Sequence, residues 1–231
     1  MDQMVVRSEK EVWTAGIELY CHLKSQLNAL RCPSEFNGTS HIHLLVHGHE
    51  DKDVIPRSLQ LIAGRTGQEY NQRKKRKGAF WEDRYHATAV DVDEHLVECL
   101  VYIDLNMVRN KVVKHPKEWS HGGYPEIVEP QQRYRIINRD LLKRLLDIND
   151  DFSQVYSGWV QAAVDECTPR QAGWTESVAV GCKDFVEKVK EMLGGRVCGR
   201  RVHEVSKTGS CILKEPVLAY NAVFEGKMFT L

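Results

Sequence analysis

The chain has 231 residues, enough for one well-buried core and a small second module. Its composition is that of an ordinary soluble globular protein, and the absence of a long apolar run or a signal-peptide pattern predicts a cytoplasmic protein without membrane contact. Lysine plus arginine and aspartate plus glutamate each number 32, so the zero net charge argues against a protein that binds nucleic acid through its overall charge.

The first predicted helix covers residues 8–31, where apolar residues recur at helical spacing behind a capping-box pattern. Pro33 ends this helix. Residues 34–40 are predicted to form a turn or a weak strand. Residues 41–47 then alternate between two faces, which is typical of a half-buried strand.

The second predicted helix begins at Pro56 and ends in a basic segment. Residues 57–84 contain eight basic residues against three acidic ones, and aromatic residues flank the basic run. Basic residues among aromatics suit a phosphate backbone with unstacked bases, although a solvated helix end has the same composition. The candidate DNA-binding residues are Arg57, Arg65, Arg73, Lys74, Lys75, Arg76, Lys77 and Arg84.

Residues 79–90 are predicted to form another strand, which leads into a third helix. Asp91 or Asp93 caps this helix, which runs to about Val108. Its apolar residues form one stripe at helical spacing, so one side of the helix is expected to be buried.

Residues 115–136 are rich in glycine and proline, and we place a domain boundary there. The boundary divides residues 1–128 from residues 129–231, and the second region is predicted to be mainly helical. Its helices are expected at 138–148, 151–166 and 182–193, with a strand at 211–213.

His41 and His43 are the first candidates for chemistry. On a strand, a His-x-His pair places both imidazoles on one face, about 7 Å apart at Cα, which is close enough to share one metal ion. Taken alone, such a pair is more often a solvent-facing pair of histidines than a metal site.

The third predicted helix carries a polar stripe of Glu98, Tyr102 and Asn106, each four residues apart. This spacing lets a phenol and an amide oxygen reach the same point. A half-buried tyrosine with a polar neighbour is the structural alternative, and the spacing alone favours it.

Three segments in order distinguish between these interpretations: HIHLLV at 41–46, GAFWEDRY at 78–85 and YIDLNMVR at 102–109. Together they closely resemble the IS200-like Y1 transposases, in particular the REP-associated tyrosine transposases. The resemblance extends over roughly residues 8–125, and the ordered set is specific where each segment alone is not. The third segment follows the first at a spacing that favours this branch over replication initiators and relaxases, which are also HUH nucleases.

The resemblance implies an α+β fold, with a ferredoxin-like antiparallel sheet, helices on one face and a mainly helical C-terminal extension. It implies that His41, His43 and Asn106 bind a divalent metal, Mg²⁺ or Mn²⁺, and that Tyr102 is the nucleophile. The implied reaction cleaves and rejoins single-stranded DNA, near hairpin elements, through a 5′-phosphotyrosine. The expected setting is the cytoplasmic nucleoid, with the protein acting as a monomer or a homodimer.

Two departures from the family pattern lie near the N-terminus. Only residues 4–7 stand where the family has its first strand, which is therefore expected to be missing or shortened. Residues 32–40 replace the usual apolar run before the His-x-His strand. A non-catalytic DNA-binding protein derived from such a transposase is the alternative function.

Overall fold

The structure is a computed structural model that describes residues 2–6, 43–48, 53–81, 85–92, 94–130, 135–194, 199–205 and 209–214. The predicted helix at 8–31, the predicted turn or weak strand at 34–40 and His41 lie outside these residues. Within the described part of the chain the fold is mixed α/β, with helices packed against one six-stranded sheet.

The strands are β1 (Asp2–Val6), β2 (Leu45–His47), β3 (His86–Val90), β4 (Ser177–Gly181), β5 (Arg201–Val205) and β6 (Ser210–Lys214). Their order in the sheet is β2-β1-β3-β4-β6-β5. β1 runs parallel to β2 and β3, and β3 runs parallel to β4, whereas β6 is antiparallel to β4 and β5. The prediction of an antiparallel sheet is therefore wrong. Helical connections from β2 to β3 and from β3 to β4 allow these strands to run in the same direction.

The helices of the described residues are α1 (Val54–Lys74), α2 (Glu94–Asp104), α3 (Asn106–Arg109), α4 (Tyr124–Val128), α5 (Arg139–Leu145), α6 (Phe152–Asp165), α7 (Gly173–Glu176) and α8 (Lys183–Leu193). A short 3₁₀ turn at Pro116–Glu118 precedes α4. None of the helices in the described ranges combines the length and the hydropathy needed to cross a membrane.

Helices cover both faces of the sheet. The strand register forms two rows of residues, one on each face: Ala89, Ala179 and Leu213, and Val90, Val180 and Ile212. α8 packs on the first row through Val186 and Val189, and Leu96 of α2 and Tyr156 of α6 belong to the core over the second row. The prediction of helices on one face is therefore wrong, because both faces of these central strands are apolar and each requires a cover.

α1 covers the sheet beside β2. Its residues Leu59 and Ile62 contact Leu44 and Val46, whereas Leu45 packs against the main core on the opposite face. α1 and α2 therefore lie on opposite faces. β2, α1 and β3 form a βαβ unit with β1 between its two strands, and a ferredoxin-like arrangement is not confirmed.

The main core draws residues from both sides of the predicted boundary at residue 128. Val90, Leu96 and Ile127 pack in one cluster with Tyr156 and Val160, and β4 pairs directly with β3. The region after residue 128 also contributes three strands to the sheet. The boundary itself stays a prediction.

Several predicted elements are present at their expected places. α1, α5, α6 and α8 confirm four predicted helices, and β6 confirms the strand expected at 211–213. The third predicted helix is divided at Leu105 into α2 and α3. Within the predicted strand at 79–90, β3 covers only the last five residues, and β1 forms a five-residue strand where a missing or shortened one was expected. β4 and β5 were not predicted.

A substitution at Gly181 tests how closely the chain packs where β4 leads into α8. A Cβ atom on Gly181 would lie 2.5 Å from Cβ of Asp91 and 2.6 Å from Cδ1 of Phe185, so Gly181→Ala should lower the free energy of unfolding by about 1–3 kcal/mol. Urea unfolding measures this change. The control is Gly158→Ala in the middle of α6, where nothing lies within 4 Å of the added Cβ and the variant should gain about 0.5–1 kcal/mol. Equal effects at both glycines would contradict the close approach at Gly181.

Candidate active site

Tyr102 lies in the last turn of α2 and is 6% exposed. The apolar side of α2 is held in the main core together with Val90, so the sheet fixes the position of the helix. The ring of Trp174 in α7 lies 6.4 Å from the Tyr102 ring. Both the sheet and the C-terminal region therefore position this tyrosine.

His43 meets Tyr102 edge to face, with the ring centroids 5.9 Å apart and the planes at 77°. His43 stands two residues before Leu45, and alternation along an extended chain points both side chains to the same face of the sheet. That face is the one covered by α2. The structure thus brings together two of the residues that the sequence singled out, whereas His41 lies outside the described residues.

Arg109 also packs on the Tyr102 ring. Its guanidinium carbon lies 4.0 Å from the ring centroid, and its Nη2 donates a hydrogen bond of 2.6 Å to the carbonyl oxygen of Tyr102. Burial lowers the pKa of Arg109, and the interaction with Tyr102 opposes that shift.

Asn106 begins α3, four residues after Tyr102, as the spacing predicted. Its Oδ1 accepts a hydrogen bond of 3.1 Å from Nδ2 of Asn110. Asn106 and Tyr102 line the same cleft, whereas His43 lines a separate, mainly apolar cavity of about 200 Å³. The two predicted metal ligands within the described ranges therefore face different cavities. Among all the residues that the structure describes, no three His, Cys, Asp or Glu side chains are grouped so as to hold a metal ion.

The cleft beside Tyr102 has a volume of about 860 Å³. One wall comes from residues 102–111 and the other from residues 163–175, in and after α6. The charged side chains on its walls are those of Arg109, Lys111 and Arg170, and the described lining residues include no aspartate or glutamate. The cleft is therefore suited to an anionic ligand.

The predicted DNA-binding residues lie mostly at the C-terminal end of α1. Residues 72–79 are exposed, and the guanidinium groups of Arg73 and Arg76 each lie 5.7 Å from the ring of Tyr70. Phe80 packs against the same ring, with the centroids 4.6 Å apart. Arg57, at the opposite end of α1, forms an exposed ion pair with Asp53. Arg65 is exposed on the helix between these ends, and Arg84 lies outside the described residues.

Asp104 is a buried residue that the sequence did not single out. Its Oδ1 accepts hydrogen bonds from the backbone N–H groups of Gly123 and Tyr124, and its Oδ2 accepts one of 2.6 Å from the hydroxyl of Tyr156. Burial raises the pKa of Asp104 to about 6, and these three hydrogen bonds limit the rise. The one sequence signal is an aspartate two residues after Tyr102, next to the apolar stripe of its helix.

Comparisons with protein-family models, with curated proteins and with solved structures find no match. The resemblance to Y1 transposases is carried by the three sequence segments alone. The geometry that bears on it is the contact between His43 and Tyr102, with Asn106 one turn further along the helix.

Asp104 should make stability depend on pH. Its pKa is higher in the folded chain than in the unfolded one, so its contribution is largest below pH 4 and is lost as the pH rises through about 6. The shift corresponds to a loss on the order of 3 kcal/mol. Chemical unfolding between pH 4 and 7.5 should show this decline in wild type and a flatter profile in Asp104→Asn.

The matched control is Asp140→Asn, at an exposed aspartate in the first turn of α5. This variant should keep the pH profile of wild type. If Asp104→Asn and Asp140→Asn give the same profile, the carboxyl of Asp104 is not the group responsible.

Proposed function

We propose that the chain is a single-strand DNA transposase that cleaves and rejoins DNA through a covalent tyrosine intermediate. One observation carries the proposal: the ring of His43, from the His-x-His segment, contacts the ring of Tyr102, the candidate nucleophile. These residues are 59 positions apart in the sequence and come from different elements. The family resemblance rests on sequence segments and the ring contact rests on the structure, so the two are independent observations.

The proposed reaction is an in-line displacement at phosphorus. The Tyr102 oxygen bonds to the phosphorus of a phosphodiester, the bond to O3′ breaks, and the proton lost by the phenol ends on the released 3′-hydroxyl. The product is a 5′-phosphotyrosine, and attack by a 3′-hydroxyl in the reverse sense rejoins the strand without a nucleotide cofactor. Arg109, stacked on the ring, favours the negative charge that the phenol oxygen carries during attack.

A divalent metal, Mg²⁺ or Mn²⁺, belongs to the proposal because the resemblance assigns it to His41, His43 and Asn106. Two imidazoles and an amide oxygen suit such an ion, and Mn²⁺ tolerates the nitrogen ligands better. His43 and Asn106 face different cavities in the structure, so the described arrangement does not fit one shared ion. The steps above accordingly involve only the side chains of the protein and the DNA strand.

The proposed substrate is single-stranded DNA next to a hairpin, as the resemblance implies, and the setting is the nucleoid. The position of the basic run supports a DNA partner. α1 connects the carboxyl end of β2 to the amino end of β3, so its basic C-terminal end lies toward the amino ends of the parallel strands. His43 precedes β2 and contacts Tyr102, so Tyr102 also lies toward the amino ends of the parallel strands. The βαβ unit of β2, α1 and β3, split by β1, is the feature in favour of a ferredoxin-like core.

A second function is favoured by one observation. Tyr102 is only 6% exposed and His43 is equally buried, so neither group is freely open to a DNA strand. A chain that keeps the basic surface and does not cleave DNA would accommodate this burial. Formation of a covalent adduct distinguishes the two functions.

The adduct test uses a labelled hairpin-bearing single strand with Mn²⁺, separated on a denaturing gel. Wild type should form a protein–DNA adduct, and Tyr102→Phe should reduce adduct formation at least ~1,000-fold because it lacks the attacking oxygen. The control is Tyr85→Phe, at an exposed tyrosine, which should retain wild-type activity. Absence of an adduct with wild type, or an equal amount with Tyr102→Phe, would leave the DNA-binding function as the better assignment.

The metal requirement is tested with the same substrate. The resemblance predicts that chelation by EDTA abolishes adduct formation, that Mn²⁺ restores it, and that His43→Ala or Asn106→Ala raises the Mn²⁺ concentration needed for half-maximal activity by about 10–100-fold. The separate cavities of His43 and Asn106 predict instead that each of these two variants keeps the Mn²⁺ requirement of wild type. His121→Ala is the control, since His121 lies in the loop before α4 and packs on Trp119 instead. An adduct formed equally well in EDTA would exclude metal-dependent cleavage.

A further inference from the structure

We propose that the cleft beside Tyr102 contains a binding subsite for a backbone phosphate of single-stranded DNA, with Arg109 at its floor and Arg170 at its rim. Arg170 belongs to the region after residue 128, so that region would be part of the DNA-binding site. The inference rests on the proposed function for the identity of the ligand. The two can fail separately, because binding and cleavage are measured apart.

Arg109 supplies the main observation for the floor of the subsite. Its Nη2 is held by the carbonyl oxygen of Tyr102, but its Nη1 is buried and has no hydrogen-bond partner among the described residues. A buried guanidinium nitrogen without an acceptor is costly, and a phosphate oxygen is the acceptor that a guanidinium binds best. Because Arg109 also stacks on the Tyr102 ring, a phosphate bound there would lie beside the nucleophile.

Arg170 supplies the rim. Its Nη2 lies 3.7 Å from Oε1 of Glu176 and 3.5 Å from the hydroxyl of Thr175, both long contacts. The Arg170 and Glu176 side chains are 69% and 55% exposed, and an exposed ion pair of this kind contributes little. Arg170 can therefore exchange this partner for a phosphate at small cost.

The composition of the cleft selects a phosphodiester over a neutral ligand. The described lining residues provide the cations of Arg109, Lys111 and Arg170 but no aspartate or glutamate, although the chain as a whole has zero net charge. The carboxylate of Glu176 is only in long contact with Arg170. The volume of about 860 Å³ lies within the range of about 300–1,000 Å³ that is usual for ligand pockets. Asn106 and Thr168 add neutral polar groups to the two walls, which suits a nucleotide next to the bound phosphate.

The test measures binding in full-length Tyr102→Phe, without metal, so that cleavage does not interfere. The probe is a fluorescein-labelled oligothymidylate, and anisotropy titrations at several salt concentrations give both Kd and its salt dependence. Arg109→Gln and Arg170→Gln should each raise Kd by about 3- to 10-fold and reduce the slope of log K against log salt by about 1. Glu176→Gln should lower Kd, because it removes the competing carboxylate.

The matched control is Arg144→Gln, at an exposed arginine of α5 outside the cleft, which should leave Kd and slope unchanged. Because Arg109→Gln also removes packing on Tyr102, thermal unfolding is recorded for every variant. If Arg109→Gln does not fold, the result with Arg170→Gln alone tests the subsite. Equal Kd and slope for Arg170→Gln and Arg144→Gln would overturn the subsite. DNA binding that responds as expected, without any adduct in wild type, would retain the subsite and reject the transposase activity.

Discussion

The carboxyl of Asp104 is buried where the end of α2, the start of α4 and the middle of α6 meet, and it accepts hydrogen bonds from the last two. A buried carboxylate without these donors would be strongly unfavourable, so the three helices are held in one arrangement. Tyr102 precedes Asp104 by two residues and Asn106 follows it by two. The geometry of the candidate site therefore depends on a contact that takes no part in the proposed chemistry.

Local patterns in the sequence predicted most of the described helices and singled out His43, Tyr102 and Asn106, but they did not predict the path of the sheet. Helical periodicity and caps identified α1, α5, α6 and α8 because those signals lie within each element. Strand direction depends on which strands pair, and β4 pairs with β3 across about 90 residues of sequence, for which no local signal exists. β4 itself is short and consists of small residues and two valines, so it lacks the alternation of large apolar and polar residues that indicates a strand. The same limit applies to Arg109 and Arg170, because spacing along one helix cannot show which loop faces it.

The candidate site lies at the amino ends of the parallel strands, since His43 precedes β2 and contacts Tyr102 at the end of α2. Open α/β sheets usually bind ligands at the carboxyl ends, where strands lead into helices. In this chain that edge carries Asp91, whose carboxylate accepts the backbone N–H of Cys182 at the start of α8 and so closes the helix end internally. The C-terminal ends of α1 and α2 at the amino edge provide no such N–H groups, so an anion at that edge would be bound by the side chains of Arg109, Lys111 and Arg170.

The cleft beside Tyr102 can form only after a later part of the chain has been made. The ring of Trp174 lies 6.4 Å from that of Tyr102, and β4 pairs with β3. During synthesis the chain emerges from its N-terminus, so the tyrosine helix leaves the ribosome some 70 residues before the segment that completes its cleft. Until the segment that leads into β4 has been made, the wall that carries Arg170 is absent and the core around α2 lacks Trp174 and Val180. In a nascent chain the helix that carries Tyr102 would therefore be made before the cleft beside it could form.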